Sequence, residues 1–226
     1  MELFSSSAYQ ILIVLAFAII GAGLKYIDDA FDEDIFSKRA AMVIAPILVI
    51  IWTGLSIYDS VSATILFSVL FAVLLTGKID NLVFKASSIA LILILVLSGM
   101  LNFLWIPLFT LIIMGVADEK GNDYVDNHAT LKSGQFFFSH RFSMKIGVLG
   151  LCMFSLLPWF YLGAFLAFDG AYESVKIFGK ISVASQKEKK SAYLYKTTRL
   201  HKIHTSLFLF LKRKHVLKEK QNERYE

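Results

Sequence analysis

The chain is 226 residues long and 56% hydrophobic, with a mean hydropathy of +0.61, which excludes an ordinary soluble domain of this size. Its net charge of +5 hides a split: residues 180–226 hold 13 Lys/Arg against 4 acids, a net +9, and residues 1–179 hold 10 against 14, a net −4. The single cysteine, Cys152, excludes an internal disulfide, and its apolar surroundings favour a buried structural thiol over a nucleophile.

The first predicted span runs from about Ala8 to Ile27. Met1 to Gln10 lacks a basic n-region and no A-x-A site precedes the acids that follow, so the stretch reads as a retained span. It leads into Gly23-Leu24-Lys25-Tyr26-Ile27-Asp28-Asp29-Ala30-Phe31-Asp32-Glu33-Asp34, with five acids in seven positions. Carboxylates gathered beside lipid are costly and by default mark an ion or ligand site, although a solvated loop reads the same way.

After Lys38-Arg39, residues 40–77 are almost uninterrupted apolar sequence. The break at Ser56-Ile57-Tyr58-Asp59-Ser60 predicts two spans of about 18 residues each. Gly77-Lys78-Ile79-Asp80-Asn81 follows. Residues 86–117 are apolar again, with Ser98-Gly99 and Asn102 near the middle, and are too long for one ordinary span, so they predict a hairpin of two short ones. A polar segment, Asp118 to Lys145, comes next. Residues 146–168 predict one long span or, with Asp169 to Ser174, a hairpin turning at Leu157-Pro158.

Charge decides between these. Lys25, Lys38, Arg39, Lys78, Lys85, Lys120, Lys132, Arg141, Lys145 and Lys176 all lie at or beyond the ends of odd-numbered spans, and the turns near Asp59, Gly99 and Pro158 contain no Lys or Arg. By the positive-inside rule the odd-span ends are cytoplasmic. The basic tail falls on the same side only if residues 146–173 cross twice. The expectation is therefore an all-α, polytopic integral membrane helical bundle of seven spans, with six as the alternative, in a multi-pass cell-membrane protein. Residues 1–179 would form the transmembrane domain and residues 180–226 a basic cytoplasmic tail. In that tail Leu200, Ile203, Leu207, Phe210 and Leu211 follow helical spacing among Lys202, Lys212, Arg213 and Lys214. Such an amphipathic helix suits the anionic leaflet surface. Nucleic acid is not an expected partner, because no recognition module is visible.

Four polar clusters then face one side: Lys25 with Asp28, Asp29 and Asp32; Lys78 with Asp80 and Asn81; Asp118 to Asp126; and Asp169 with Tyr172, Glu173 and Lys176. Gly23, Gly77 and Gly115 introduce three of them, as in a repeat of helical hairpins. Asp28 and Asp32 are four apart, as are Asp29 and Glu33, and on a continued helix each pair shares a face. Asn122, Asp123 and Asp126 fall within one turn. Two such turns across a cavity can hold Mg²⁺, which takes oxygen ligands and keeps waters or phosphate oxygens in its shell. The candidate metal ligands are thus Asp28, Asp29, Asp32, Asn122, Asp123 and Asp126. Lys25, Lys78 and Arg141 would neutralise phosphates, and Tyr172 would donate a hydrogen bond to a phosphate oxygen. Asp80 and Asp169 are the candidates for catalysis on the acceptor side. Together these describe a diphosphate site at the mouth of a lipid-filled helical cavity, with the metal stabilising the leaving charge. The plainer alternative is a set of loop carboxylates balanced by neighbouring lysines.

Asn122-Asp123-Tyr124-Val125-Asp126 resembles the N-D-x-x-D element of UbiA-type intramembrane prenyltransferases. Asp28-Asp29-x-x-Asp32 is similar to the same element with Asp for Asn, and Asp28-x3-Asp32 to the family's D-x-x-x-D element. The resemblance covers only these two stretches; where the family's first motif continues to a further Asp, this chain has Phe36 or Thr130. It implies a Mg²⁺-dependent transferase in lipid metabolism that binds an isoprenoid diphosphate or related phospholipid between facing aspartate motifs, with the prenyl chain among the helices. Two other classes stay open: a transporter or ion-binding protein using the same carboxylates, and a non-catalytic membrane scaffold working through its tail. No H-E-x-x-H, G-x-S-x-G, Walker loop or C-x-x-C is present.

Overall fold

The computed structural model describes residues 7–78, 81–99, 102–127, 137–138 and 140–188, except for the side chains of Ser98, Asp126 and Asn127. Among them there is no strand. The helices are α1 (Ser7–Phe31), α2 (Lys38–Tyr58), α3 (Ser60–Leu75), α4 (Leu82–Ser98), α5 (Trp105–Asn127), α6 (Phe142–Met153) and α7 (residues 160–188), with residues 137–138 also helical. The chain divides into two compact units, Met1–Gly179 and Lys180–Glu226. The first holds α1 to α6 and residues 160–179 of α7. Within the second, residues 180–188 are helical, and the tail helix expected over 200–214 lies outside the described residues.

Polar residues inside apolar sequence set the boundaries. Asp59 alone separates α2 from α3; its carboxylate accepts from the backbone N–H of Val61 (3.4 Å) and Ser62 (2.9 Å) and caps the new helix. Asn81 caps α4 by accepting from Phe84 N at 2.7 Å, and Gly99 ends it in the left-handed region at φ 62°. Leu157-Pro158 falls in the turn between α6 and α7.

α3 is apolar on all sides, and residues 62–70 are all buried, so it forms the centre. α2 and α5 pack directly on it. Gly115 of α5 permits this approach, because a Cβ there would come within 2.6 Å of the Ala72 Cβ. The surrounding helices turn large apolar side chains outward, among them Leu12 of α1, Ile50 of α2, Leu97 of α4 and Ile113 of α5.

Among the described residues two helices have the length and apolarity to cross a membrane: α1, with 25 residues, and α2, with 21. Only 22% and 33% of their most apolar stretches are buried, which is unlike the core helices of a soluble protein. α3, α4 and α6 have 16, 17 and 12 residues. At 1.5 Å per residue α6 reaches only about 18 Å, against about 30 Å of hydrocarbon. The polar segment expected after residue 117 is in part a continuation of α5, which runs to Asn127. Ala117 to Lys120 contain no breaker, and Gly121 lies directly under the Phe138 ring, where a Cβ would clash.

The turns separate into two groups. Tyr161 donates to Asp59 at 3.0 Å, and the backbone N–H of Leu104 donates to the Thr64 hydroxyl at 3.0 Å, which gathers three turns without Lys or Arg at one end. The ion pairs of Lys25, Lys78, Arg141 and Lys145 lie at the other.

Candidate functional site

At the charged end, the last turns of α1 place Lys25, Asp28 and Asp29 on one face. Lys25 is buried and pairs with Asp28 at 2.7 Å and Asp29 at 2.8 Å. The spacings of three and four residues bring the groups together on a helix, and the pairing offsets the cost of removing the charges from water.

Lys78 follows Gly77, whose φ of 73° turns the chain away from α3. Its ammonium reaches across to α5 and pairs with Glu119 and Asp123, each at 2.8 Å. These carboxylates are four apart and share one face of α5. Burial opposes the charge on Lys78, and the hydrogen bonds it donates to Asp123 and Glu119 outweigh it, so its pKa lies above the ordinary lysine value. The stability contributed by that shift is complete below the ordinary lysine value and is lost only as pH rises through the raised one.

Arg141 lies just before α6, with φ 51° and ψ 44°. Its guanidinium pairs with Glu119 at 3.3 Å and stands 4.4 Å from the centre of the Tyr172 ring. Lys25 approaches the same ring at 5.5 Å. Burial opposes the Arg141 charge, and Tyr172 together with the carboxylates of Glu119, Asp169 and Glu173 drives its pKa upward. Buried Asp118 fixes the start of α6: its carboxylate accepts from the backbone N–H of Ser143 (2.9 Å) and Met144 (2.8 Å), supplying from α5 the cap that Arg141 does not provide.

These groups surround a cavity of about 240 Å³. Asp28, Lys78, Asn81, Glu119, Arg141 and Tyr172 make its polar walls. Leu24, Trp52, Val69, Leu70, Val73 and Phe84 make its apolar walls. Six helices and two turns contribute six polar and six apolar residues to the walls of one space.

Of the residues singled out in the sequence, Asp28, Lys78, Arg141 and Tyr172 line the cavity, Lys25 and Asp29 form the ion pairs beside it, and Asp123 is held by Lys78. Asp32 closes the last turn of α1, its N–H donating to Asp28 O at 2.9 Å. Asn122 lies on α5 and is not among the wall residues. Asp80 and the side chain of Asp126 lie outside the described residues. Asp169 is buried and pairs with Lys145 at 2.6 Å, joining α7 to α6 away from the cavity wall. Sequence reasoning missed Glu119 and Asn81 as wall residues and Asp118 as a cap. The signal for Glu119 was its i,i+4 spacing to Asp123.

The Asp169 pair gives a separable expectation. Asp169→Asn is expected to lower the unfolding free energy by about 2 kcal/mol, because it leaves a poorly solvated Lys145 with a weaker partner. An unfolding midpoint unchanged in Asp169→Asn would show that this pair is not what joins α7 to α6.

Among the described residues, no three His, Cys, Asp or Glu side chains gather closely enough to hold a metal by themselves. What the cavity offers is two wall carboxylates, Asp28 and Glu119, each already facing a cation. That donor set fits Mg²⁺ only where a ligand brings phosphate oxygens and water completes the shell. No family model matches the chain, and no curated protein or solved structure matches it either.

Proposed function

We propose that this is a multi-pass cell-membrane protein whose charged end binds the phosphate or diphosphate head of a lipid, and that it acts on that lipid as a Mg²⁺-dependent transferase. The observation that carries this reading is the divided lining of the 240 Å³ cavity, with Lys78 and Arg141 on the side of Tyr172 and an apolar wall built on Trp52 and Phe84. An amphiphile with an anionic head matches both halves. The outward-facing apolar side chains of α1, α2, α4 and α5 support embedding in lipid, and the concentration of Lys and Arg at one end supports a cytoplasmic site. The likeness of Asn122 to Asp126 to the UbiA-type element makes an isoprenoid diphosphate the first ligand to try. Magnesium, bound through Asp28 and Glu119 with Asp123 nearby, would supply positive charge against a departing diphosphate.

The pairing of each wall carboxylate with a lysine or arginine favours a second reading, in which the site binds a lipid phosphate without turning it over. One experiment separates the two. Binding of geranylgeranyl diphosphate to the purified protein is measured by calorimetry with and without Mg²⁺, and diphosphate release, with water or an added lipid hydroxyl taking the prenyl group, is followed in the same samples. Under the enzyme reading, binding and release both need Mg²⁺ and are lost in Asp28→Asn/Glu119→Gln. Tight binding with no release and no metal requirement supports the binding protein. Absence of binding by the folded protein retires both.

A further inference from the structure

The charged cavity shares its apolar wall with a second space. Leu24, Trp52, Leu70 and Phe84 line both, and the second is a narrow space of about 40 Å³. Its remaining walls are apolar apart from two serines and include Ala45, Val49 and Ser87. Those three in turn line a groove of about 480 Å³ built entirely from α2 and α4. The rim of the groove is exposed: Met42 at 52%, Ile50 at 71% and Ile94 at 45%. Three spaces thus share walls in sequence, from paired charges to a narrow throat to an apolar groove on the outside of the bundle. Small side chains, Ala45 and Ser87, stand where the throat meets the groove. Pro46 lies on the groove as well, and α2 lacks one backbone hydrogen bond there, which lets it bend most readily at that point.

We infer that the hydrocarbon chain of the bound lipid anion passes from the charged cavity through this throat and leaves the protein between α2 and α4, into the bilayer. The inference rests on the head-group reading proposed above and adds to it the route of the chain. A methylene exposed to water costs about 0.8 kcal/mol, so a long chain follows continuous apolar walls rather than the charged side of the cavity. Because the route opens sideways, chain length beyond the groove is not limited by the protein. The ligand class is therefore a long-chain lipid phosphate or diphosphate rather than a short, water-soluble one.

The test uses the intact protein and geranylgeranyl diphosphate carrying a diazirine at the chain terminus. After photolysis, labelled peptides are expected from α2 and α4, around Ile50 and Ile94, and labelling is expected to be competed by inorganic diphosphate. Labels confined to α6 and α7, with competition intact, would overturn the route while leaving the head-group site standing. Labelling that inorganic diphosphate does not compete would overturn the head-group reading, and the route from it with that reading. A second measurement uses Ser87→Trp, which fills the throat. It is expected to weaken the long-chain ligand by tenfold or more and to leave inorganic diphosphate binding within twofold. Unchanged long-chain affinity in that variant, with diphosphate still bound, would overturn the route.

Discussion

Asp59→Ala is expected to lower the unfolding free energy by about 3 kcal/mol, measured by denaturant unfolding in mixed micelles. The carboxylate is only 7% exposed and holds three donors: the backbone N–H of Val61 and Ser62, and the Tyr161 hydroxyl at 3.0 Å. Loss of the helix cap costs about 1–2 kcal/mol. The buried Tyr161 hydroxyl, left without its acceptor, costs about 1–3 kcal/mol more. The helix that loses its cap is α3, on which α2 and α5 pack, so the damage falls on the centre of the bundle. Tyr161→Phe removes the other partner and is expected to cost about 1 kcal/mol. The double variant should then cost less than the two singles added, because no buried hydroxyl is stranded in it. Asp59→Asn keeps an acceptor for the cap and is expected to lie between the wild type and the alanine variant. A loss of less than about 0.5 kcal/mol for Asp59→Ala, the size of an ordinary surface change, would show that this end is held together by packing alone.

The same residue shows why much of the helix pattern was legible in the sequence. Asp59 is the only charged group between Arg39 and Lys78, and a carboxylate in such a run can be tolerated at a helix start, where free N–H groups need an acceptor. Gly99 and Pro158 announced the next two turns for equally local reasons: a left-handed backbone at φ 62° and a ring that cannot donate. Helix ends without such punctuation were not legible. α5 continues through Asp118, Glu119 and Lys120 to Asn127 because the stretch holds no proline and Glu119 and Lys120 are good helix formers, and only the packing of Gly121 beneath Phe138 shows where that stretch lies.

The site divides in the same way. Lys25 with Asp28 and Asp29 was legible because the partners are three and four residues apart. The union of Lys78 with Glu119 spans 41 residues, and nothing local announces it. The two neighbours Asp118 and Glu119 point to different tasks, one capping α6 and the other lining the cavity, and the helix phase that separates them depends on how α5 packs against α3. Acids that read as metal ligands in the sequence are met here by cations. Whether a ligand phosphate takes over those cations and releases carboxylates to Mg²⁺ is what the metal-dependence experiment measures.

Arg141→Gly is expected to weaken geranylgeranyl diphosphate binding by about 100-fold or more while leaving stability within about 1 kcal/mol of wild type. The argument begins with the backbone. Arg141 sits at φ 51°, where a side chain costs about 1–2 kcal/mol that glycine does not incur. Glycine therefore gains in backbone what it loses by giving up the Glu119 pair and the contact with Tyr172, which together are worth a similar amount. Binding receives no such offset, because a cation on the cavity wall is gone and Glu119 is left facing the ligand with Lys78 alone. Arg141→Lys keeps the charge but not the flat guanidinium that stacks on Tyr172, so it is expected to recover about a tenfold part of the loss. Calorimetry and unfolding measured on the same preparations read the two effects apart. If the glycine variant binds normally and unfolds early, Arg141 is a strut between α5 and α7. If it binds poorly and unfolds normally, the strained backbone is kept for what the guanidinium does in the cavity, as strain retained at functional sites generally is.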